Sequence, residues 1–307
     1  MATEVTTMTR KTVPSATVPE SPWRIAIRRF SRNKLALGGL IILIIMFLVC
    51  FIGPFFSPYN LYDYSLASKN KPPSAAHWLG TDKLGRDILL RVMLAGRISL
   101  LVGVVATAIT VIIGGTLGAI AGFYRKQVDT AIMRITDIFM SLPSLPILII
   151  LGAVMSDLKV PPPTRIYYLM FIIGLLSWTS LARLVRGQIL TLREQEFMLA
   201  TEALGLKDRR KIFRHLLPNT VPIIIVAATL SVASAILYES SLSYLGLGVI
   251  PPTPSWGNLI ADANNLIDFR KRPWLWIPPG ICILVTTVAI NLIGDGLRDA
   301  LDPKMKR

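Results

Sequence analysis

Residues 35–56 read LALGGLIILIIMFLVCFIGPFF, and this stretch decides the fold class. It is long enough to cross a membrane, because an α-helix needs roughly 20 mostly apolar residues to span about 30 Å of hydrocarbon. No charged side chain interrupts it. Five further apolar runs follow along the chain, at residues 98–123, 131–155, 167–185, 221–238 and 277–293. The sequence therefore predicts an all-α integral membrane protein with six transmembrane helices.

The composition agrees with this fold class. Of the 307 residues, 52% are hydrophobic, and the mean hydropathy is +0.56. A soluble domain of this length is ordinarily less apolar. The two cysteines, Cys50 and Cys282, fall inside predicted spans, which favours buried, unpaired thiols over a disulfide framework. The first apolar run begins too far from the N-terminus for an ordinary secretory signal peptide, so we expect it to be retained as the first helix.

The positions of the basic residues predict the orientation in the membrane. The formal net charge is +15. A basic protein could bind nucleic acid, but cytoplasmic loops of membrane proteins also collect Lys and Arg. With the N-terminus in the cytoplasm, the six spans place 22 of the 33 Lys and Arg residues on the cytoplasmic side. We therefore expect both termini in the cytoplasm, and no nucleic-acid partner.

The chain is predicted to divide into five segments. Residues 1–20 are rich in Thr, Ser and Pro and are expected to form a disordered cytoplasmic tail. Residues 21–57 combine the first span with a basic stretch, SPWRIAIRRFSRNK, that fits a short helix on the inner membrane surface, the alternative being a plain basic flank. Residues 58–96 are predicted to form an extracytoplasmic loop, 97–296 the transmembrane core, and 297–307 a second cytoplasmic tail.

The extracytoplasmic loop contains a helix-capping signal. Thr81 or Asp82 is predicted to cap a helix that begins near Leu84 and continues into the second span. His77 and Asp82 could suggest a metal site, but two ligands without a third make a weak case, and packing within the loop is the simpler interpretation.

Two spans carry residues that bear on how the helices pack. The second span contains Gly114 and Gly118, small residues four apart that let helices in lipid approach closely, so we expect it inside the bundle. Arg134 and Asp137 lie three apart near the inner end of the third span. This spacing favours a structural pair or an interfacial position over a proton relay.

The stretch between the fourth and fifth spans is too polar for the membrane and too helix-favouring for a loose linker. It reads RLVRGQILTLREQEFMLATEALGLKDRRKIFRHLLPN from Arg183 to Asn219. We predict two short helices that meet at Gly205, the second capped by Asp208, with Gly205 supplying a positive φ or a close backbone approach. Such an elbow would suit contact with a soluble partner, whereas a solvated basic loop that only fixes topology is the alternative.

This stretch resembles the cytoplasmic EAA loop of ABC importer permeases, whose pattern is EAA-x3-G-x9-I-x-L-P. Aligned on Gly205, the glycine and the final Leu-Pro match, Ala200 keeps the first alanine, and Leu199 and Thr201 stand in place of the glutamate and the second alanine. His215 replaces the isoleucine, but RHLLPN at residues 214–219 is similar to the sequence typical of peptide and nickel importer permeases.

Three other stretches resemble the second permease of dipeptide and oligopeptide importers. They are HWLGTDKLGRDILLR at residues 77–91, SLSYLGLGVIPPTPSWG at 241–257 and NLIGDGLRDALDPKMK at 291–306. The basic N-terminal segment with the first span is similar to the extra N-terminal segment of that subunit. The resemblance covers about residues 21–306.

The resemblance implies a type I ABC importer permease bundle in a bacterial inner membrane. It implies a second homologous permease, two ATPase subunits that bind ATP and Mg, an extracytoplasmic substrate-binding protein and a peptide cargo, with no cofactor in this chain. The coupling loop would occupy about residues 187–219 and grip the ATPase. Its candidate residues are Glu196, Phe197, Met198, Leu199, Ala200, Thr201, Glu202, Ala203, Leu204, Gly205, Leu206, His215 and Pro218, of which Phe197, Met198, Leu199, Leu204 and Leu206 are candidates to fill an ATPase groove.

The sequence itself contains no G-x-x-x-x-G-K-[ST] phosphate-binding loop, so we expect the energy source to lie elsewhere and this chain not to be an enzyme. Nickel, glutathione or oligosaccharide remain alternative cargoes within the same family. A self-sufficient secondary transporter is a further alternative, although it would need ionisable residues deep in several spans. Neither an HExxH nor a G-x-S-x-G motif supports a membrane-embedded enzyme.

Overall fold

A computed structural model describes residues 22–301 of the chain. The predicted tail at 1–20 and the last six residues of the tail at 297–307 lie outside the described residues. Helices account for the regular structure of the described part, with one isolated bridge between Thr81 and Asp87. The helices are α1 (Pro22–Arg32), α2 (Lys34–Phe51), α3 (Ile88–Tyr124), α4 (Lys126–Ser141), α5 (Ser144–Asp157), α6 (Pro162–Arg193), α7 (Glu196–Ala203), α8 (Asp208–Tyr244, including a π-helical turn at Lys211–Leu216), α9 (Trp256–Ala261), α10 (Leu266–Lys271) and α11 (Ile277–Leu301).

Within residues 22–301, five helices are long and apolar enough to cross a membrane, namely α2, α3, α6, α8 and α11. The consecutive helices α4 and α5 form a sixth span if they are counted together. The all-α fold with six predicted spans is therefore confirmed. The third span differs from its prediction in one respect, because it is bent by 79° between α4 and α5. The bend follows from the sequence LPSLP at 142–146, whose two prolines lack the N–H that a continuous helix requires.

The N-terminal part begins with a helix, as predicted. Asn33 separates α1 from α2, and its side-chain oxygen accepts hydrogen bonds from the backbone N–H groups of Leu35 and Ala36, both at 3.1 Å. Helix α1 then packs against α11, where Gly296 leaves room for Ala36 and the ring of Phe30. The basic stretch is therefore a helix of its own.

Helices α3 and α6 form the centre of the bundle. A Cβ atom at Gly114 would lie 2.7 Å from the carbonyl oxygen of Trp178, and one at Gly118 would lie 2.5 Å from that of Ala182. Any larger side chain at either position would push the helices apart, so only glycine allows this approach. The expectation that the second span lies inside the bundle is confirmed.

The start of α3 differs from the prediction. Helix α3 begins at Ile88, and Asp87 is its N-cap, with a carboxylate oxygen 2.9 Å from the backbone nitrogen of Leu90. The predicted cap at Thr81 or Asp82 is wrong, because Gly85 adopts φ +76° and interrupts the chain before the helix. The Asp82 carboxylate is instead used within the loop, where it accepts from the backbone N–H groups of Leu84 and Arg86.

Candidate functional site

The predicted coupling loop forms an elbow, defined here as residues 187–219, where α6 ends and α8 begins. The first short helix, α7, is present as predicted. The prediction of a second short helix is wrong, because Asp208 begins the 37-residue helix α8, which continues into the next span. Asp208 is also not the cap. Lys207 occupies the N-cap position, and its side chain makes no capping hydrogen bond.

Gly205 closes α7 with a left-handed turn. Its φ is +64°, as predicted from the need for a glycine at this position. The N–H of Leu206 donates to the carbonyl of Thr201 at 3.2 Å, and the N–H of Gly205 donates to that of Glu202 at 2.9 Å. This is the Schellman arrangement, in which the residue after the helix takes a left-handed conformation and satisfies the last carbonyls. No atom of the described chain lies within 4 Å of a Cβ built at Gly205, so the outside of the turn is open.

One face of the elbow is fixed to the bundle. Met198, Ile212 and Leu216 are buried and form a core with Ile189 of α6, against which Phe197 is partly packed. Thr201 is buried beside them, and its hydroxyl donates to the carbonyl of Met198 at 2.7 Å. Of the predicted groove-filling side chains, Phe197 and Met198 therefore support the elbow from inside.

The opposite face of the elbow is open. Leu199 is 62% exposed and Leu204 is 76% exposed, and Leu206 is half-buried. The other predicted residues at 196, 200, 202, 203 and 205 are also exposed, as is Pro218 in the first turn of the helical segment Leu217–Tyr244. Exposed leucines on a short, fixed helix form a surface that can enter a groove on another protein.

His215 lies in the π-helical turn and is half-buried. Its backbone carbonyl accepts a hydrogen bond of 2.6 Å from the side-chain amide of Asn219. The His215 Nε2 atom is buried and has no hydrogen-bond partner among the described residues. The structure therefore places His215 inside the base of the elbow, away from the exposed leucines.

Ion pairs hold the base of the elbow to the turn between α3 and α4. Arg125 pairs with Glu194, and Arg186 donates to Asp129 at 2.6 Å. Arg193 donates to the backbone carbonyl of Phe123. These contacts join three helices beside the elbow and hold it against the bundle in this conformation.

The pairing of Asp137 corrects the sequence interpretation. Asp137 forms its ion pair with Arg183 of α6, and not with Arg134 three residues away on its own helix. The two helices lie side by side here, so the carboxylate reaches a partner across the helix interface, which spacing along one helix cannot reveal. The expectation of a structural pair holds with a different partner.

A second polar site lies at the other end of α8. Glu239 is fully buried, with 0% exposure, and its carboxylate accepts hydrogen bonds from the hydroxyls of Ser99 at 2.8 Å, Ser243 at 2.7 Å and Ser240 at 3.3 Å. These four residues are called the serine–glutamate cluster below. A buried carboxylate is costly unless several donors satisfy it, and these hydroxyls supply them without a cation.

The serine–glutamate cluster fixes the segment that follows α8. The Ser243 hydroxyl oxygen accepts from the backbone N–H of Val249 at 2.9 Å, and that of Ser99 accepts from the N–H of Trp256 at 3.3 Å. Trp256 is itself fully buried, and its indole N–H donates to the carbonyl of Val92 at 3.1 Å. Sequence analysis missed Glu239 because the apolar run ends one residue earlier. The available signal was an acidic residue with a serine four positions later, Ser243, which shares its helix face.

A charged cluster ties the loop before α3 to the segment before α11. Asp82 accepts from Arg86 and Arg91, both at 2.7 Å, and Arg91 also donates to Asp262 at 2.9 Å. His77 lies 3.0 Å from Asp87. Among residues 22–301, no group of three or more His, Cys, Asp or Glu side chains is placed to hold a metal ion.

Asp268 forms a second contact between the same two regions. Its carboxylate lies 3.2 Å from the Lys83 ammonium and also pairs with Arg272. Burial raises the pKa of the Asp268 carboxyl, but hydrogen bonds from Asn265 and Lys83 and the positive charges of Lys83 and Arg272 together outweigh it, so the pKa of Asp268 is lowered below its ordinary value.

The two cysteines are free thiols, as predicted. Cys50 is buried, and Cys282 is half-buried. Cys50 packs against Gly96 of α3, where any Cβ atom would meet its sulfur. The thiol is therefore part of the helix packing between α2 and α3.

The sequence matches two protein families. Residues 114–307 match the family described as binding-protein-dependent transport system inner membrane component. Residues 21–73 match the N-terminal TM domain of oligopeptide transport permease C. Together the matches include the elbow, α1 and three of the four residues of the serine–glutamate cluster, since Ser99 lies between the two matched ranges.

Curated relatives are similar over nearly their whole lengths. The oligopeptide transport system permease protein OppC of Bacillus subtilis is 42% identical over 288 residues, which cover 94% of this chain and 91% of the relative. The dipeptide transport system permease protein DppC of Alkalihalophilus pseudofirmus is 40% identical, over 93% of this chain and 91% of the relative. The dipeptide transport system permease protein DppC of the same Bacillus is 42% identical, over 96% of this chain and 88% of the relative.

Proposed function

Because the chain belongs to the family of binding-protein-dependent transport system inner membrane components, we propose that it is the second permease subunit of a bacterial ABC importer and forms half of the translocation path for dipeptides or oligopeptides. The observation that carries this function is the similarity at about 40% identity over nine-tenths of the chain to permeases named for peptide transport. The members of this family are membrane components of transport systems, and this chain has several helices able to cross a membrane, as such a component requires.

The elbow supplies the coupling contact in this proposal. Leu199 and Leu204 project from a short helix whose inner face is held by Met198 and Thr201. An ATPase subunit that received these leucines in a groove would push on a surface already fixed to α6 and α8. ATP and Mg would bind to two such ATPase subunits, which matches the absence of a phosphate-binding loop from this sequence.

The remaining partners follow from the same proposal. A second homologous permease would supply the other half of the path, and an extracytoplasmic binding protein would deliver the peptide. Both termini and the elbow would lie in the cytoplasm, as the distribution of Lys and Arg predicts. The charged cluster around Asp82 would then lie on the extracytoplasmic side, at the opposite end of the bundle from the elbow.

Reconstitution tests the function. The chain, its partner permease, the ATPases and the binding protein are assembled in liposomes, and uptake of labelled dialanine and tetra-alanine is measured with and without ATP. We expect ATP-dependent uptake by the complete assembly, and neither uptake nor ATP turnover by this chain alone. Nickel, glutathione and an oligosaccharide serve as competitor cargoes, and preferential uptake of one of these would refute the peptide assignment.

Labelling of single cysteines tests the orientation. Cysteines replace Ser68 and Lys207 separately in a background that lacks Cys50 and Cys282. We expect an impermeant thiol reagent to reach Ser68→Cys from outside intact cells, and Lys207→Cys only after the membrane is opened. Labelling of both from the same side would contradict the proposed topology.

A further inference from the structure

We propose that the outward face of the bend between α4 and α5 lines the water-filled path taken by the peptide, and that its unpaired backbone carbonyls and the Asp137–Arg183 pair contact the peptide's own polar groups. This inference rests on the proposed function and locates the path within this subunit. Three features of the bend carry it: the hydrogen bonding of its backbone, its depth in the bundle, and the charged pair beside it.

The backbone at the bend lacks hydrogen-bond partners. Helix α4 ends at Ser141, and α5 begins at Ser144. Pro146 has no N–H to offer to the carbonyl of Leu142, which is its partner in a continuous helix. Within residues 22–301, the carbonyl oxygens of Met140, Ser141 and Leu142 accept no hydrogen bond across the bend. These three acceptors are therefore left for another molecule.

The bend lies at membrane depth. The ring of Phe139 packs edge-on against that of Trp178, with ring centroids 5.9 Å apart. Trp178 stands close to the middle of α6, one of the helices that crosses the membrane. An unpaired carbonyl is costly in hydrocarbon, and irregular backbone is tolerated there only where protein covers it or where it lines a water-filled cavity. Residues 141–143 are exposed in this chain, so nothing within it covers them.

Charged side chains share the exposed face. The side chains of Asp137 and Arg183 are 61% and 45% exposed although they pair with each other. Asp137 lies one helical turn before Ser141, so both residues are on the same face of α4. Charged groups in transmembrane segments face the interior of a bundle or a water-filled cavity, and not lipid. The charges and the unpaired carbonyls thus both indicate that this face borders a water-filled cavity.

The chemistry of the face fits a peptide backbone. Carbonyl oxygens accept hydrogen bonds from the amide N–H groups and the terminal ammonium of a peptide. Asp137 can receive the ammonium, and Arg183 can receive the terminal carboxylate through a charge-assisted hydrogen bond. These peptide groups are the same whatever the side chains are, so a path lined in this way admits peptides of different sequence.

Cysteine accessibility tests the inference on the complete importer in lipid nanodiscs. Ser141→Cys and Ser144→Cys are made separately in the background that lacks Cys50 and Cys282, and a charged, membrane-impermeant thiol reagent is applied. The matched control is Ile44→Cys on α2. Ile44 is also exposed, but the residues around it in the helix are apolar. We expect both serine positions to react and Ile44→Cys not to react.

Protection by peptide supplies the second measurement. With trialanine at about ten times its Kd for the complete importer, roughly nine-tenths of the peptide sites are occupied. The rate at which the thiol reagent reacts with Ser141→Cys should therefore fall by about tenfold. The same concentration of glucose should leave the rate unchanged. A reaction that trialanine does not slow would overturn the contact with peptide.

The accessibility result separates this inference from the proposed function. If both serine positions are as unreactive as Ile44→Cys in an importer that still takes up trialanine, lipid or the second permease covers the bend, and the inference fails while the function stands. An importer that takes up no peptide would instead contradict the proposed function, whatever the accessibility of the bend.

Discussion

Removal of the Glu239 carboxylate gives the sharpest test of the serine–glutamate cluster. In Glu239→Ala, the hydroxyls of Ser99, Ser240 and Ser243 lose their shared acceptor. Hydrogen bonds inside membrane proteins contribute about 0.6 kcal/mol on average and about 1.7 kcal/mol at most, so three of them correspond to about 2–5 kcal/mol. The free energy of unfolding should fall by this amount.

Glu239→Gln should be milder because one side-chain oxygen remains as an acceptor. The new amide group is a donor, so one serine hydroxyl must turn away and lose its hydrogen bond. The expected loss is about 1 kcal/mol, in the range of one typical hydrogen bond. Ser241→Ala is the matched control, since the Ser241 hydroxyl is exposed and bonds within its own helix to the carbonyl of Leu237.

The assay is unfolding of the purified chain in mixed detergent and dodecyl sulfate micelles, followed by circular dichroism. The expected order of stability is wild type and Ser241→Ala, then Glu239→Gln, then Glu239→Ala. A double-mutant cycle with Ser99→Ala isolates the contact between α3 and α8. If the free energies of unfolding of Glu239→Ala and Ser241→Ala differ by less than about 0.5 kcal/mol, the cluster does not stabilise the fold and the reasoning is refuted.

Two further predictions concern the elbow and Asp268. Gly205→Val should insert into the membrane normally but reduce ATPase retention and transport by the assembled importer, because a β-branched residue is strained at φ +64°. Leu199→Glu, which introduces the residue typical of the family at an exposed position, should be tolerated better. Wild-type transport by Gly205→Val would show that the turn has no special role. The lowered pKa of Asp268 predicts a stability contribution that is complete above about pH 4, the ordinary pKa of an Asp, and is lost as the pH falls through the lower pKa of the folded state. Asp268→Asn should therefore be less stable than wild type at neutral pH, by about 1 kcal/mol, and the difference should shrink in acid, whereas a difference independent of pH would contradict the ion pairs with Lys83 and Arg272.

The sequence predicted features that depend on nearby residues. The apolar runs specified where helices cross the membrane, because the length of a span is a local property. Gly205 predicted its own left-handed turn, since few other residues adopt a positive φ without strain. The close approach at Gly114 and Gly118 was predicted from small residues spaced four apart.

The sequence could not predict features that depend on contacts between distant segments. Asp137 pairs with Arg183 and not with Arg134, because α4 lies along α6. The spacing of residues within α4 does not reveal that contact. Asp82 was taken for a helix cap, but its carboxylate is occupied by Arg86 and Arg91, so the helix starts later, at the next acidic residue. The bend of the third span was not predicted, because prolines can be accommodated within a transmembrane helix when neighbouring groups satisfy the freed backbone.

The continuity of α8 has a mechanical consequence. Its 37 residues extend over about 55 Å, with the elbow at one end and Glu239 near the other. The far end is anchored through Ser99 to α3, which is itself wedged against α6 at Gly114. The elbow end of α8 lies about 46 Å from Glu239, so a rigid tilt of the helix by about 5° around the serine–glutamate cluster would displace that end by roughly 4 Å while the anchored end stays in place.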